Sequence, residues 1–165
     1  MEIFTMADEG YYMSEKTYNE FKEKLSFLKG QKRDEIIRRI DTARGFGDLS
    51  ENAEYDEARR EQRENEAEIV RYEDIIEKAI IYSVSGLTCK TVELGTVANV
   101  LCMWNNKQID YSLVGSVEVD PFKYKISNDS PLGQVLIGRS VGDCVEVQAP
   151  AGIRQYKILE IKLPQ

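Results

Sequence analysis

Histidine is absent from all 165 residues, which excludes a Ser-His-Asp triad and any His-ligated metal site. Cysteine is scarce. Cys89, Cys102 and Cys144 are odd in number and far apart, which fits neither a disulfide framework nor a C-x-x-C metal clip, and they read as ordinary thiols of a cytoplasmic protein. No run approaches the roughly 20 apolar residues of a membrane-spanning helix. The first dozen residues lack both a basic start and an apolar stretch, so no signal peptide is expected. An excess of positive charge is also missing: 22 Lys+Arg stand against 29 Asp+Glu, a formal charge of −7. A protein held on naked DNA by counterion release alone is therefore not expected.

What remains is a folded chain of 18.9 kDa, 42% hydrophobic and 31% charged, enough for one domain or two small ones. All four prolines, Pro121, Pro131, Pro150 and Pro164, lie in its second half. Charge divides as unevenly: residues 14–82 carry 18 acidic and 14 basic side chains, whereas residues 83–165 carry 8 of each. The hydrophobic period changes at the same place, which sets a boundary at Ser83-Val84-Ser85-Gly86-Leu87, with domains over 1–82 and 87–165.

Before that boundary the apolar residues recur at helical spacing. Tyr18, Phe21, Leu25 and Leu28 step by three and four, and after a polar interruption at Gly30–Arg33 the stripe resumes with Ile36, Ile37, Ile40 and Ala43. Ser14 is placed to cap this helix, and Gly45-Phe46-Gly47 ends it. Tyr55, Ala58, Gln62, Asn65, Ile69, Tyr72, Ile76 and Ala79 then form a heptad stripe that is polar at Gln62 and Asn65. Two helices of about 30 residues, each roughly 45 Å long at ~1.5 Å per residue, must pack antiparallel to cover these stripes. The expected product is a helical hairpin built for reach, held less firmly toward its turn.

After the boundary, alternation takes over. Residues 96–101 and 108–114 read as strands around Asn105-Asn106, and residues 143–147 and 154–161 as a second pair around Ala149-Pro150-Ala151-Gly152. Ser130-Pro131 opens a short helix that ends by Ile137, with Ser as cap, Pro at the first helical position and Gly138 as the stop. The class is α+β: an N-terminal antiparallel α-helical coiled-coil hairpin followed by a small antiparallel-sheet domain.

The turn of the hairpin holds the chemistry. Within Gly47-Asp48-Leu49-Ser50-Glu51-Asn52, Asp48 and Glu51 are three apart at the start of the second helix, so both carboxylates can face one way. One reading is a capping box that also complements the helix dipole. The other is a partial metal site. Two carboxylates are too few to hold Mg²⁺, which wants six oxygens, so a partner would supply the rest. Nearby, residues 31–44 hold five basic and three acidic side chains; Lys32, Arg33, Arg38 and Arg39 read either as a solvated face of ion pairs or as a basic patch.

Residues 48–61, DLSENAEYDEARRE, closely resemble the tip signature of the bacterial GreA/GreB transcript cleavage factors. The resemblance continues through Gly95-Thr96-Val97, residues 110–115 (DYSLVG), Ile126-Ser127-Asn128-Asp129-Ser130-Pro131-Leu132-Gly133, Leu136-Ile137-Gly138 and Ala149-Pro150-Ala151-Gly152. Shorter length and acidic charge make it more similar to the GreA branch. One departure is Asp34, where many members carry proline.

The resemblance implies a factor that is not itself an enzyme and has no cofactor of its own. Its hairpin would enter the secondary channel of a backtracked bacterial RNA polymerase and help it cut the 3′ end of the nascent RNA, with Mg²⁺ shared in the polymerase active site. Carried over by position, Asp48 and Glu51 support the metal, Leu49, Ser50 and Asn52 shape the turn, and Arg44 and Arg59 contact the RNA end. Asp129, Ser130 and Pro131 of an FKBP-like C-terminal domain dock on the polymerase. Such a factor is a monomer, meets DNA only through the transcription complex and has no membrane partner.

Two rivals share parts of this architecture. A channel-blocking inhibitor would have an altered tip, and the presence of Asp48 and Glu51 argues against it. A coiled-coil chaperone or isomerase would grip unfolded chains with the hairpin, which the short apolar stripe of its distal part supports little, and a prolyl isomerase would need aromatics lining a pocket, of which the second half shows no concentration in sequence apart from Trp104.

Overall fold

A computed structural model describes residues 10–45, 53–150 and 152–164. The chain divides into two compact units, Tyr18–Lys78 and a second one that joins residues 10–17 to those from Ala79 onward. This differs from a single cut near residues 83–87. The reason is backbone pairing: strand β1 (Tyr11–Ser14) lies parallel to β2 (Ala79–Tyr82), so the segments flanking the helices belong to the sheet unit.

The helical unit is an antiparallel pair. Its first arm runs through α1 (Glu15–Phe27), whose first turn belongs to the sheet unit, a π-turn (Leu28–Lys32) and α2 (Arg33–Arg44). Its second arm is α3 (Ala53–Glu77). The polar stretch at Gly30–Arg33 thus widens the helix without breaking it. Leu28, Ile36, Ile40 and Ala43 are buried on the first arm and Ala58, Asn65, Ile69 and Ile75 on the second, with Ile36, Ile40 and Ala58 packed in one cluster, while Ile37, expected in the stripe, is 41% exposed. Phe21 and Tyr72 meet edge to face at 5.2 Å.

The arms are also laced by charge. Lys29 pairs with Glu73, Lys32 with Glu68 at 3.6 Å, and Arg39 with Glu61 at 2.5 Å. Arg33 grips Glu66 with two bonds, Nε to Oε1 at 2.8 Å and Nη2 to Oε2 at 2.6 Å. Base numbers rise as acid numbers fall, as antiparallel arms require.

In the sheet unit, five strands lie in the order β5-β4-β3-β7-β6: β3 (Val97–Cys102), β4 (Lys107–Val114), β5 (Lys125–Ser127), β6 (Cys144–Ala149) and β7 (Gly152–Lys162). The sheet is mixed, which corrects the expected antiparallel one. Two 3₁₀ turns, Ser116–Glu118 and Pro121–Lys123, carry the chain back so that β5 pairs parallel to β4.

Helix α4 (Pro131–Leu136) lies against one face of this sheet, packing Leu132, Val135 and Leu136 onto a core that includes Val100, Leu113, Val145 and Ile158. Opposite Asn99 and Val100 the β7 register slips by one residue, and the buried positions of β7 shift phase with it: Tyr156 and Ile158, then Ile161. Among the described residues no helix is long and apolar enough to cross a membrane.

Candidate functional site

The two arms bracket residues 46–52. Arg44 is the last residue of α2, and Gly45 N–H donates to the carbonyls of Asp41 at 3.2 Å and Thr42 at 3.1 Å; Ala53 then opens α3. Asp48, Leu49, Ser50, Glu51 and Asn52 lie outside the described residues. Of the two basic residues assigned beside them, Arg44 is exposed at the end of its arm. Arg59, exposed two turns into α3, donates to Gln62 Oε1 at 2.7 Å.

The basic patch resolves into two kinds of residue. Lys32, Arg33 and Arg39 are spent on acids of α3, so the ion-pair reading holds for them. Arg38 and Arg44 are exposed and have no acidic partner among the described residues.

In the sheet unit, Asp129, Ser130 and Pro131 form a braced turn. Ser130 Oγ donates to the Ser127 carbonyl at 2.7 Å and accepts from Gly133 N–H at 3.1 Å, the predicted cap, while Ser130 N–H donates to Ser127 Oγ at 3.1 Å. Gly133 is required by space: a Cβ there would stand 2.0 Å from the Ser127 carbonyl oxygen. The bracing leaves Asp129 and Pro131 exposed on either side of a fixed serine.

Two features escape sequence reasoning. The first is Glu118, whose half-buried carboxylate takes hydroxyl donors from Ser14 at 2.6 Å, Thr17 at 2.5 Å and Tyr82 at 2.7 Å. Burial alone would raise its pKa, but the bonds from Ser14, Thr17 and Tyr82 outweigh that and hold it below the ordinary range. Burial and the Glu118 bond push the Tyr82 phenol up. Gly115, three residues earlier, has no side chain to complete a capping box and so gives no sequence signal, although its N–H reaches Glu118 Oε2 at 3.4 Å.

The second feature is an aromatic row that corrects the expected lack of one. Trp104 meets Tyr156 edge-on at 4.9 Å, Tyr156 meets Tyr111 at 6.5 Å, and Tyr111 meets Tyr124 at 5.8 Å. Arg154 lies over the Trp104 ring at 5.0 Å. These residues come from separate strands and turns, so only the sheet register gathers them.

Comparison with known proteins bears on both units. The family model described as "Transcription elongation factor, N-terminal" matches residues 11–81, and that described as "Transcription elongation factor, GreA/GreB, C-term" matches residues 87–163. The chain belongs to the GreA/GreB family of transcription elongation factors. Relatives named transcription elongation factor GreA agree: that of Clostridioides difficile is 41% identical over 152 residues, covering 92% of this chain and 96% of its own. The GreA of Clostridium perfringens strain SM101 is 38% identical, covering 95% and 99%, and that of Clostridium botulinum strain Kyoto is 42% identical, covering 92% and 94%. Among solved structures, GreA factor homolog 1 of Thermus thermophilus is 22% identical at a TM-score of 0.44, covering 93% of this chain and 99% of that one. Within the GreA/GreB frame, the N-terminal model spans both hairpin arms and the C-terminal model spans the Ser130 turn.

Proposed function

We propose that this member of the family binds bacterial RNA polymerase as a monomer, reaches its secondary channel with the end of the helical hairpin and stimulates Mg²⁺-dependent cleavage of the 3′ end of backtracked RNA. The observation that carries the reading is the bracketing of Asp48 and Glu51 between two antiparallel arms that five hydrogen-bonded or ionic contacts hold together. Both acids fall in the seven residues that join Gly45 to Ala53.

The donor set fits a shared ion. Two carboxylates supply part of the oxygen shell that Mg²⁺ demands, and the polymerase supplies the remainder. When bound, the metal pair activates an attacking oxygen and stabilises the leaving one in phosphodiester hydrolysis. Asp48 and Glu51 lend negative oxygens to that centre, so the factor performs no catalysis alone. Leu49, Ser50 and Asn52 shape the segment around them. Arg44 and Arg59 offer cations to the displaced RNA end, contacts that position a strand without reading its sequence. Asp129, Ser130 and Pro131 dock on the polymerase, and DNA is met only through that complex.

The test is addition of the purified protein to a backtracked elongation complex. The RNA should shorten from its 3′ end only with Mg²⁺ present, and Asp48→Ala or Glu51→Ala should abolish shortening while polymerase binding stays within a few-fold. Cleavage by both variants at the parental rate would refute metal delivery.

The aromatic row favours a second reading, in which the sheet unit binds a proline-bearing peptide. Isomerisation of a proline peptide that Trp104→Ala removes, with no effect of the protein on backtracked RNA, would select it.

A further inference from the structure

The seam between the arms contains one polar residue that burial does not call for. Asn65 is 1% exposed, between Ala58 and Ile69 on α3. Its Nδ2 donates to the Leu28 carbonyl at 3.1 Å, and no donor among the described residues reaches its Oδ1. A half-satisfied amide in an apolar seam is a worse choice for stability than an aliphatic side chain of similar size.

Leu28 is where the first arm departs from regular helix. Its buried positions jump from Leu28 to Ile36, eight residues where a heptad takes seven, whereas the second arm keeps seven between Ala58 and Asn65. A π-turn accommodates one residue more than an α-turn, so Leu28–Lys32 reconciles the two spacings. Asn65 therefore bonds the first carbonyl of the one irregular turn in the described part of that arm.

We infer that Asn65 and the π-turn form a register lock, which admits one alignment of the two arms and excludes alignments displaced by a helical turn. Slid by a turn, about 5.4 Å, the amide would lose the Leu28 carbonyl and face regular helix, whose carbonyls are already engaged along the arm and offer it at best a second, shared bond, with its Oδ1 still unpaired. The ion pairs cannot impose this choice. They join exposed flexible side chains, and Glu57, Glu61, Glu64, Glu66, Glu68 and Glu73 offer substitute partners after a slide. Aliphatic contacts also survive a one-turn shift in a heptad seam. Such a slide would pass roughly four residues between an arm and the segment 46–52, changing which side chains form the hairpin's end. A lone buried amide that fixes register at the expense of stability is a known device in coiled coils. The lock belongs to the arms and holds whatever the hairpin's end does to RNA.

Amide ¹H–¹⁵N spectra of the full chain, recorded beside thermal melts, test it with Asn65→Leu and Asn65→Ala. The parent should give one set of arm resonances. Asn65→Leu should melt higher and Asn65→Ala lower, since one fills the seam and the other empties it, yet both should show a second set at about a tenth of the intensity or more. A role confined to packing would make heterogeneity follow the melting temperature and spare the Leu variant. One set of arm resonances with parental cross-arm contacts in Asn65→Leu overturns the proposal, as does a lower melting temperature for that variant.

Discussion

The Tyr82 hydroxyl donates to Glu118 Oε2 at 2.7 Å, while the other oxygen of that carboxylate takes Ser14 Oγ at 2.6 Å. One acid thereby ties the strand before α1 to the strand after α3. Glu118→Ala would leave three hydroxyl donors without their acceptor and should cost about 1–3 kcal/mol in urea denaturation, with Tyr82→Phe costing about 1 kcal/mol. The same pair sets a pH window. A depressed carboxyl contributes stability above its unfolded pKa, near 4.3, that is lost as pH falls through the lower folded value; a raised phenol contributes stability below about 10 that is lost as pH rises past it. Stability should therefore decline on both sides of a neutral plateau, and Tyr82→Phe should remove this pair's share of the alkaline decline.

Glycine substitutions should separate by the space available. A Cβ on Gly115 would stand 1.5 Å from the Tyr12 carbonyl oxygen and one on Gly133 2.0 Å from that of Ser127, whereas Gly30 has nothing within 4 Å. Gly115→Ala and Gly133→Ala should each destabilise by about 1–3 kcal/mol or more, since backbone must move. Gly30→Ala should be neutral or stabilising, by up to about 1 kcal/mol. Denaturant midpoints report all three.

Salt should weaken the lacing of the arms. Arg33 and Glu66 are 37% and 45% exposed, so solvent and ions screen their two-pronged bond. Arg33→Met should lower the melting temperature at low ionic strength and have little effect at 1 M salt, where screening acts within about 3 Å. A loss independent of salt would show that packing of the Arg33 stem is what matters.

The Ser130 turn predicts a division between stability and binding. Ser130→Ala removes a cap and should cost about 1 kcal/mol. Asp129→Ala and Pro131→Ala should change the melting temperature less yet weaken polymerase binding in a competition assay, because their side chains are exposed. Undiminished binding by both would remove the docking role.

The helices, the four strands that alternate and the Ser130 cap could be read directly, because each leaves a local period or a capping residue. What escaped was made by distance. β1, β2 and β5 are three or four residues long, too short to show alternation, and two of them pair only with each other across the whole helical unit. The π-turn hid in the eight-residue step from Leu28 to Ile36. The β7 bulge hid because the alternating pattern resumes on the opposite phase after Leu159. At the candidate site, local reading found Ser130 and its cap, but Glu118 and the aromatic row required strands to come together. Asp48 and Glu51 rest on motif and position in the chain.

Trp104 is the sole tryptophan, packed against Tyr156 beneath Arg154 in the sheet unit. Its emission therefore reports the melting of one body alone, while far-ultraviolet ellipticity is weighted toward the arms of the other. Following both signals through one titration would reveal whether the two bodies unfold in concert or in sequence, with no label attached.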